Sequence, residues 1–176
     1  MKVIKLAFIF YFLLPLTLLA ENSYFFSHIS SEQGLSQLTV TSIFQDQYGF
    51  MWFGTRNGLN KFDGYTFEVY QNEPGNKQSL SDSHILSLTG DFDGNLWIGT
   101  NRGLNKLNSK TNEIERFTSK NNNAPHSNSA ILSLYTDSKG VVWVGTFNGL
   151  YKYNKDSHSF LNFNENNLIN EQINTI

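Results

Sequence analysis

The sequence predicts an all-β chain built from copies of one four-stranded antiparallel sheet, and three observations predict it. Trp52, Trp97 and Trp143 stand 45 and then 46 residues apart, a period characteristic of repeated supersecondary units. Their surroundings agree. "DQYGFMWFGTRNGLNKF" from Asp46, "DFDGNLWIGTNRGLNKL" from Asp91 and "DSKGVVWVGTFNGLYKY" from Asp137 share Asp-x-x-Gly-x-x-Trp-x-Gly-Thr-x-x-Gly-Leu-x-Lys, then an aromatic residue or Leu. Finally, "LWIGT" and "VVWVGT" alternate with period two and lack a 3.6-residue pattern, which argues against a helical repeat. Four short strands every 45 residues or so, apolar on both faces, describe β-propeller blades. Such a sheet cannot bury both faces alone, and its neighbours must do so.

The elements follow in order. Met1 to Lys5 supplies a positive start, Leu6 to Leu19 is apolar except for Thr17, and Ala20 offers a cleavage position. This is the layout of a secretory signal peptide over residues 1–20. The apolar run is shorter than the roughly 20 residues that span a bilayer. In the second copy, Ile85 to Thr89 reads as a first strand and Asp91 to Gly94 as a turn, with Asp bonding its own backbone and Gly closing the turn. Asn95 to Thr100 is a second strand, with Trp97 on one face and Leu96 and Ile98 on the other. Thr100 to Gly103 turns again, Leu104 to Leu107 is a third strand, and Ile114 to Thr118 a fourth. Gly54, Gly58, Gly99, Gly103, Gly145 and Gly149 recur with the three Trp residues and read as framework.

Blades are therefore expected at about 38–72, 83–119 and 129–164, joined by polar loops. Glu171 to Ile176 aligns with Ser129 to Leu134, so a fourth blade begins at about 171. Closing a ring takes at least about four blades. We expect an incomplete ring of three blades and the start of another, the N-terminal piece of a longer protein. "SYFFSHIS", residues 23 to 30, is expected to be an orphan outer strand that completes the last blade of the full ring.

Composition narrows the function. Charged residues make up 16%, against about 25% in an average chain, and the net charge is -2 with no basic tract. Nucleic-acid binding requires a clustered cationic face, and none is visible. The absence of cysteine excludes disulfides, thiolate metal sites and a Cys nucleophile.

Chemistry is sparse. The Asp-x-x-Gly turns lack the acidic ladder and distal Glu of a calcium loop. His28, His84, His126 and His158 stand at no metal-ligand spacing. There is no Gly-x-Ser-x-Gly elbow and no phosphate-cradling loop ahead of a helix. No catalytic residue, metal or cofactor is expected. Side chains that change inside the constant Thr-x-x-Gly frame are Arg56 and Asn57, Asn101 and Arg102, and Phe147 and Asn148. Varied side chains on a fixed scaffold are how a propeller builds a binding surface. Arg and Asn can hydrogen-bond carboxylates or hydroxyls. These six are the ligand-binding candidates, on the rim shared with the loops between blades.

The repeat core Asp-x-x-Gly-x-x-Trp-x-Gly-Thr-x-x-Gly-Leu resembles the two-component regulator propeller repeats, from about Tyr24 to the end of the chain. The resemblance implies an extracytoplasmic sensor region of a receptor anchored in the cytoplasmic membrane and working as a homodimer. It implies a small-molecule or glycan ligand, and an output module (a hybrid histidine kinase or a diguanylate cyclase) elsewhere in the protein. A secreted propeller enzyme acting on glycans and a structural interaction propeller are the alternatives.

Overall fold

The computed structural model describes residues 28–118, 123–125 and 129–163. The expected signal peptide, most of "SYFFSHIS", His126 and the start of a fourth blade lie outside them. Among the described residues, twelve strands form three four-stranded antiparallel sheets, each in sequential order. The first comprises β1 (Val40–Gln45), β2 (Met51–Thr55), β3 (Gly58–Phe62) and β4 (Phe67–Tyr70). The second comprises β5 (Ile85–Gly90), β6 (Leu96–Thr100), β7 (Gly103–Leu107) and β8 (Ile114–Arg116). The third comprises β9 (Ile131–Thr136), β10 (Val142–Thr146), β11 (Gly149–Asn154) and β12 (Ser159–Asn162). These are propeller blades. Their first strands lie side by side, β1 against β5 and β5 against β9.

The two-faced second strand does what its alternation demands. Leu96 and Ile98 join Trp52, Leu59, Leu80, Ile85, Leu107 and Ile114 in the core between blades one and two. Trp97 faces the other way, with Leu104, Phe117, Ile131, Val144 and Phe160 between blades two and three. Trp97 is fully buried and stacks on Phe117, with ring centroids 5.1 Å apart. Trp143, whose face no fourth sheet covers among the described residues, is only half-buried.

Each framework residue acquires a task. In every copy the turn Asp accepts backbone N–H groups on Oδ1, as Asp91 does from Asp93 and Asn95 at 3.0 and 2.9 Å. Its Oδ2 accepts the indole N–H of the Trp six residues on, at 2.8, 2.9 and 3.0 Å for Asp46, Asp91 and Asp137. One carboxylate thus ties turn to strand and gives a buried indole the partner it requires. For Asp137, the Trp143 hydrogen bond and that from the Val141 amide hold the carboxyl below its ordinary range.

The Gly-Thr pair works at the inner end. A Cβ on Gly54 would lie 2.3 Å from Ser42 Oγ and 2.7 Å from Ile85 Cγ2; on Gly99 it would lie 2.3 Å from Ser87 Oγ and 2.8 Å from Ile131 Cγ2. These glycines let the next blade's first strand approach. The close seam is bonded: Thr41 Oγ1 donates to Ile85 O at 2.7 Å and Ser87 Oγ to Ile131 O at 3.1 Å. Thr55, Thr100 and Thr146 each donate to the carbonyl of the glycine three residues on. That glycine takes φ between +117 and +134 in all three copies, a backbone region open chiefly to Gly.

Asn60 and Asn105 are fully buried. Their Oδ1 atoms accept the N–H of Ser36 and Ser81 at 2.8 and 2.9 Å, clipping the segment that enters each blade. Tyr151 stands in their place in the third blade.

Candidate functional site

The six residues expected to bind ligand all sit in the turns between second and third strands. Gln71 Nε2, in the loop to the next blade, donates to Asn57 O at 2.7 Å, so turn and loop share a rim. The turns are not free. The Arg56 N–H donates to Gln37 Oε1 at 3.1 Å, the Asn101 N–H to His84 O at 2.9 Å, and the Asn148 N–H to Thr146 Oγ1 at 3.1 Å. Arg102 Nε lies 3.8 Å from Asp82 Oδ2. Phe147 is exposed. The candidates project separately from successive blades, and none lines the large cleft described next.

That cleft, of about 640 Å³, opens on the opposite rim between blades two and three. Its volume falls in the usual range for small-molecule sites, about 300–1,000 Å³. Blade two contributes the β5–β6 turn with Asp91 and Asp93, Asn95 at its end, and Lys106 of β7; blade three contributes Lys139, Lys152, Tyr153 and the turn from Asn154 to His158. Phe92, largely exposed, lies over Gly140, where a Cβ would come within 2.9 Å of its ring. The Asp93 and Lys155 side chains pair across the mouth.

One row of side chains crosses the seam. Lys106 Nζ lies 2.8 Å from Glu115 Oε2, and Glu115 Oε1 lies 2.7 Å from His158 Nε2. His158 Nδ1 lies 2.8 Å from the Tyr153 hydroxyl. A carboxylate only accepts, so in the neutral ring Nε2 carries the proton and Nδ1 accepts from Tyr153; this tautomer is assigned from the bonding pattern. Burial would raise the Glu115 pKa, but the hydrogen bonds and charges of Lys106 and His158 outweigh it and hold the carboxyl below its ordinary range. Burial pushes Tyr153 up to about 12, helped by Glu115, Asp91 and Asp93. The row can hydrogen-bond a polar ligand. Among the described residues no group of three His, Asp or Glu is arranged to hold a metal ion.

No spacing rule in the sequence joins this row, because its members are far apart in the chain and belong to different blades. A signal was present. The turn between third and fourth strands varies as the Thr-x-x-Gly turns do, with Asn112 in one copy where His158 stands in the next.

Comparison with known proteins follows the repeat. The family described as two component regulator propeller matches residues 34–57, 79–102 and 125–148, the entry segment and first half of each blade. A stretch of 62 residues is 52% identical to Histidine kinase P4 of Formosa agariphila; it is 35% of this chain and 4% of that protein. The structure resembles the extracellular domain assigned to a one component system of B. thetaiotaomicron, with a TM-score of 0.67 at 27% identity. That match covers 84% of this chain and a fifth (20%) of the other. The virginiamycin B lyase of Staphylococcus aureus matches with a TM-score of 0.51 at 17% identity, over 69% of this chain and 40% of that one, a likeness of fold alone.

Proposed function

Since the chain belongs to the two-component regulator propeller family, we propose that it is part of the extracytoplasmic, ligand-sensing propeller of a membrane-anchored signalling receptor. The observation that carries this reading is the repeat itself: three family copies fold into three successive blades whose backbone follows that of the extracellular domain assigned to a one component system. Export of the chain and a paired, homodimeric receptor belong to the same proposal. The output, phosphorelay or cyclic-di-GMP synthesis, lies in other parts of the protein.

The ligand is a small molecule or glycan fragment, and the cleft between blades two and three is its place. The cleft offers an exposed aromatic ring in Phe92, amides in Asn95 and Asn154, and charges of both signs. The exposed Asp93–Lys155 pair costs little to break on ligand entry. A ligand can move the receptor only by binding one arrangement better than the other, and a site shared by two blades would do so if the blades shift relative to each other. The six turn residues on the opposite rim are the competing site.

The Tyr153 row lends little to an enzyme, because a hydroxyl raised to about 12 is a poor nucleophile near neutral pH. Calorimetric titration of the full-length receptor with a panel of glycan fragments and small metabolites tests the reading. Saturable binding that changes output supports it. Turnover of a bound compound, or no binding by the propeller while another part of the receptor binds, overturns it.

A further inference from the structure

His158 and Asn112 hold the same place in successive blades. Each is the left-handed residue of the turn between third and fourth strands, with φ 51 and φ 58. That backbone region is uncommon outside Gly but enriched for Asn and His. Each side chain reaches back to the outer strand of the preceding blade. Asn112 Oδ1 accepts from the Tyr70 hydroxyl at 2.8 Å, and His158 Nε2 meets Glu115 Oε1 at 2.7 Å. One seam is closed by an amide that never changes charge. The other is closed by an imidazole, the side chain that gains charge between about pH 8 and 5.

We infer that His158 is a proton-operated clasp on the second seam: proton uptake there tightens blade three against blade two and stiffens the wall of the cleft, while the first seam does not respond. The functional meaning of the clasp rests on the cleft being the ligand site; the clasp itself does not.

The direction follows from the contacts. In the neutral ring, Nε2–H donates to Glu115 and Nδ1 accepts from Tyr153. In the protonated ring both nitrogens donate. The Tyr153 hydroxyl rotates to accept, and the Glu115 contact becomes an ion pair, which strengthens it. The charged surroundings come from six elements. Glu115 belongs to β8, and Lys106 of β7 holds its other oxygen. Asp91 and Asp93 come from the β5–β6 turn, and Lys155 and Asp156 from the turn of His158 itself. Lys139 of the β9–β10 turn and Lys152 of β11 line the same cleft, and the carboxylate that His158 itself touches is Glu115.

The test is amide hydrogen exchange on the whole chain without ligand, corrected for intrinsic exchange, at pH 8 and pH 5.5. Protection of Ile114–Arg116 should rise about two- to fivefold on acidification, the equilibrium equivalent of a half-exposed ion pair. Phe67–Tyr70, at the Asn112 seam, is the internal control and should stay level. His158→Asn copies the Asn112 arrangement and should abolish the response. Glu115→Gln keeps the imidazole, removes its counter-charge, and should also flatten it. A parallel change in both seams, or a response that survives both substitutions, overturns the clasp. Because no ligand is present, that result would leave the ligand reading of the cleft standing, and a receptor that binds elsewhere would leave the clasp standing.

Discussion

Substituting Gly99 by Ala tests the packing principle on which the blades depend. The new Cβ would lie 2.3 Å from Ser87 Oγ, 2.8 Å from Ile131 Cγ2 and 2.9 Å from Ile131 O. A rotamer change relieves the first two contacts, but the third is backbone, so β9 must move away from β6. Overpacking of this kind costs about 1–3 kcal/mol. Moving Ser87 also endangers its buried hydrogen bond to Ile131 O at 3.1 Å, worth about 1 kcal/mol. Reduced freedom of the unfolded chain returns about 0.5–1 kcal/mol. The net loss is about 1–3.5 kcal/mol, or roughly 5–10 °C in Tm at its midpoint for a domain of this size. Gly49→Ala is the control: its φ is +89 and nothing lies within 4 Å, so only the left-handed penalty of about 1–2 kcal/mol applies. Urea and thermal unfolding of both variants, followed by circular dichroism, measure the difference. If Gly99→Ala were no more destabilising than Gly49→Ala, the close seam would not be what selects glycine after the Trp strand.

Further outcomes are expected. Asp91→Asn should cost about 2 kcal/mol in urea unfolding, because an amide cannot accept from the Asp93 and Asn95 N–H groups and from the Trp97 indole with only one oxygen. Asn105→Ala should cost about 1–3 kcal/mol by the same measurement, since it strands the half-buried Ser81 N–H beside the buried Asn105 position. Glu115 has a folded pKa below its ordinary 4.5, so its contribution is present above that value and lost as pH falls through the folded one. Glu115→Gln should therefore flatten the acid side of a Tm-against-pH curve. In the full-length receptor, Lys152→Ala with Lys155→Ala should weaken ligand binding several-fold by calorimetry, while Arg56→Ala and Phe147→Ala leave it intact. The opposite pattern would move the site to the other rim.

How much was legible in the sequence follows from which interactions are local. The fold class was legible because the period of 45 to 46 residues and the two-faced Trp strand are properties of consecutive residues. The Asp-x-x-Gly turn was readable as a turn. Its second task, holding the Trp indole, could be seen only once the hairpin set Asp46, Asp91 and Asp137 beside Trp52, Trp97 and Trp143. The Gly after each Trp reads as framework in the sequence, but its reason is a strand of the next blade, more than 30 residues away for both Gly54 and Gly99.

The candidate site shows the same division. Variation inside a constant frame identified Arg56, Asn57, Asn101, Arg102, Phe147 and Asn148 and located their rim. It could not show that a cleft opens on the other rim, because a cleft is the space left between two sheets and depends on how they pack. Glu115 and His158 are 43 residues apart in chain order, with no spacing rule to join them. The sequence by itself determined the repeated sheet and the face each apolar residue takes, since strand alternation and turn chemistry act over a few residues. Only the tertiary structure decided which side chains of neighbouring blades meet, since that depends on sheet twist and on the close approach that Gly54 and Gly99 permit.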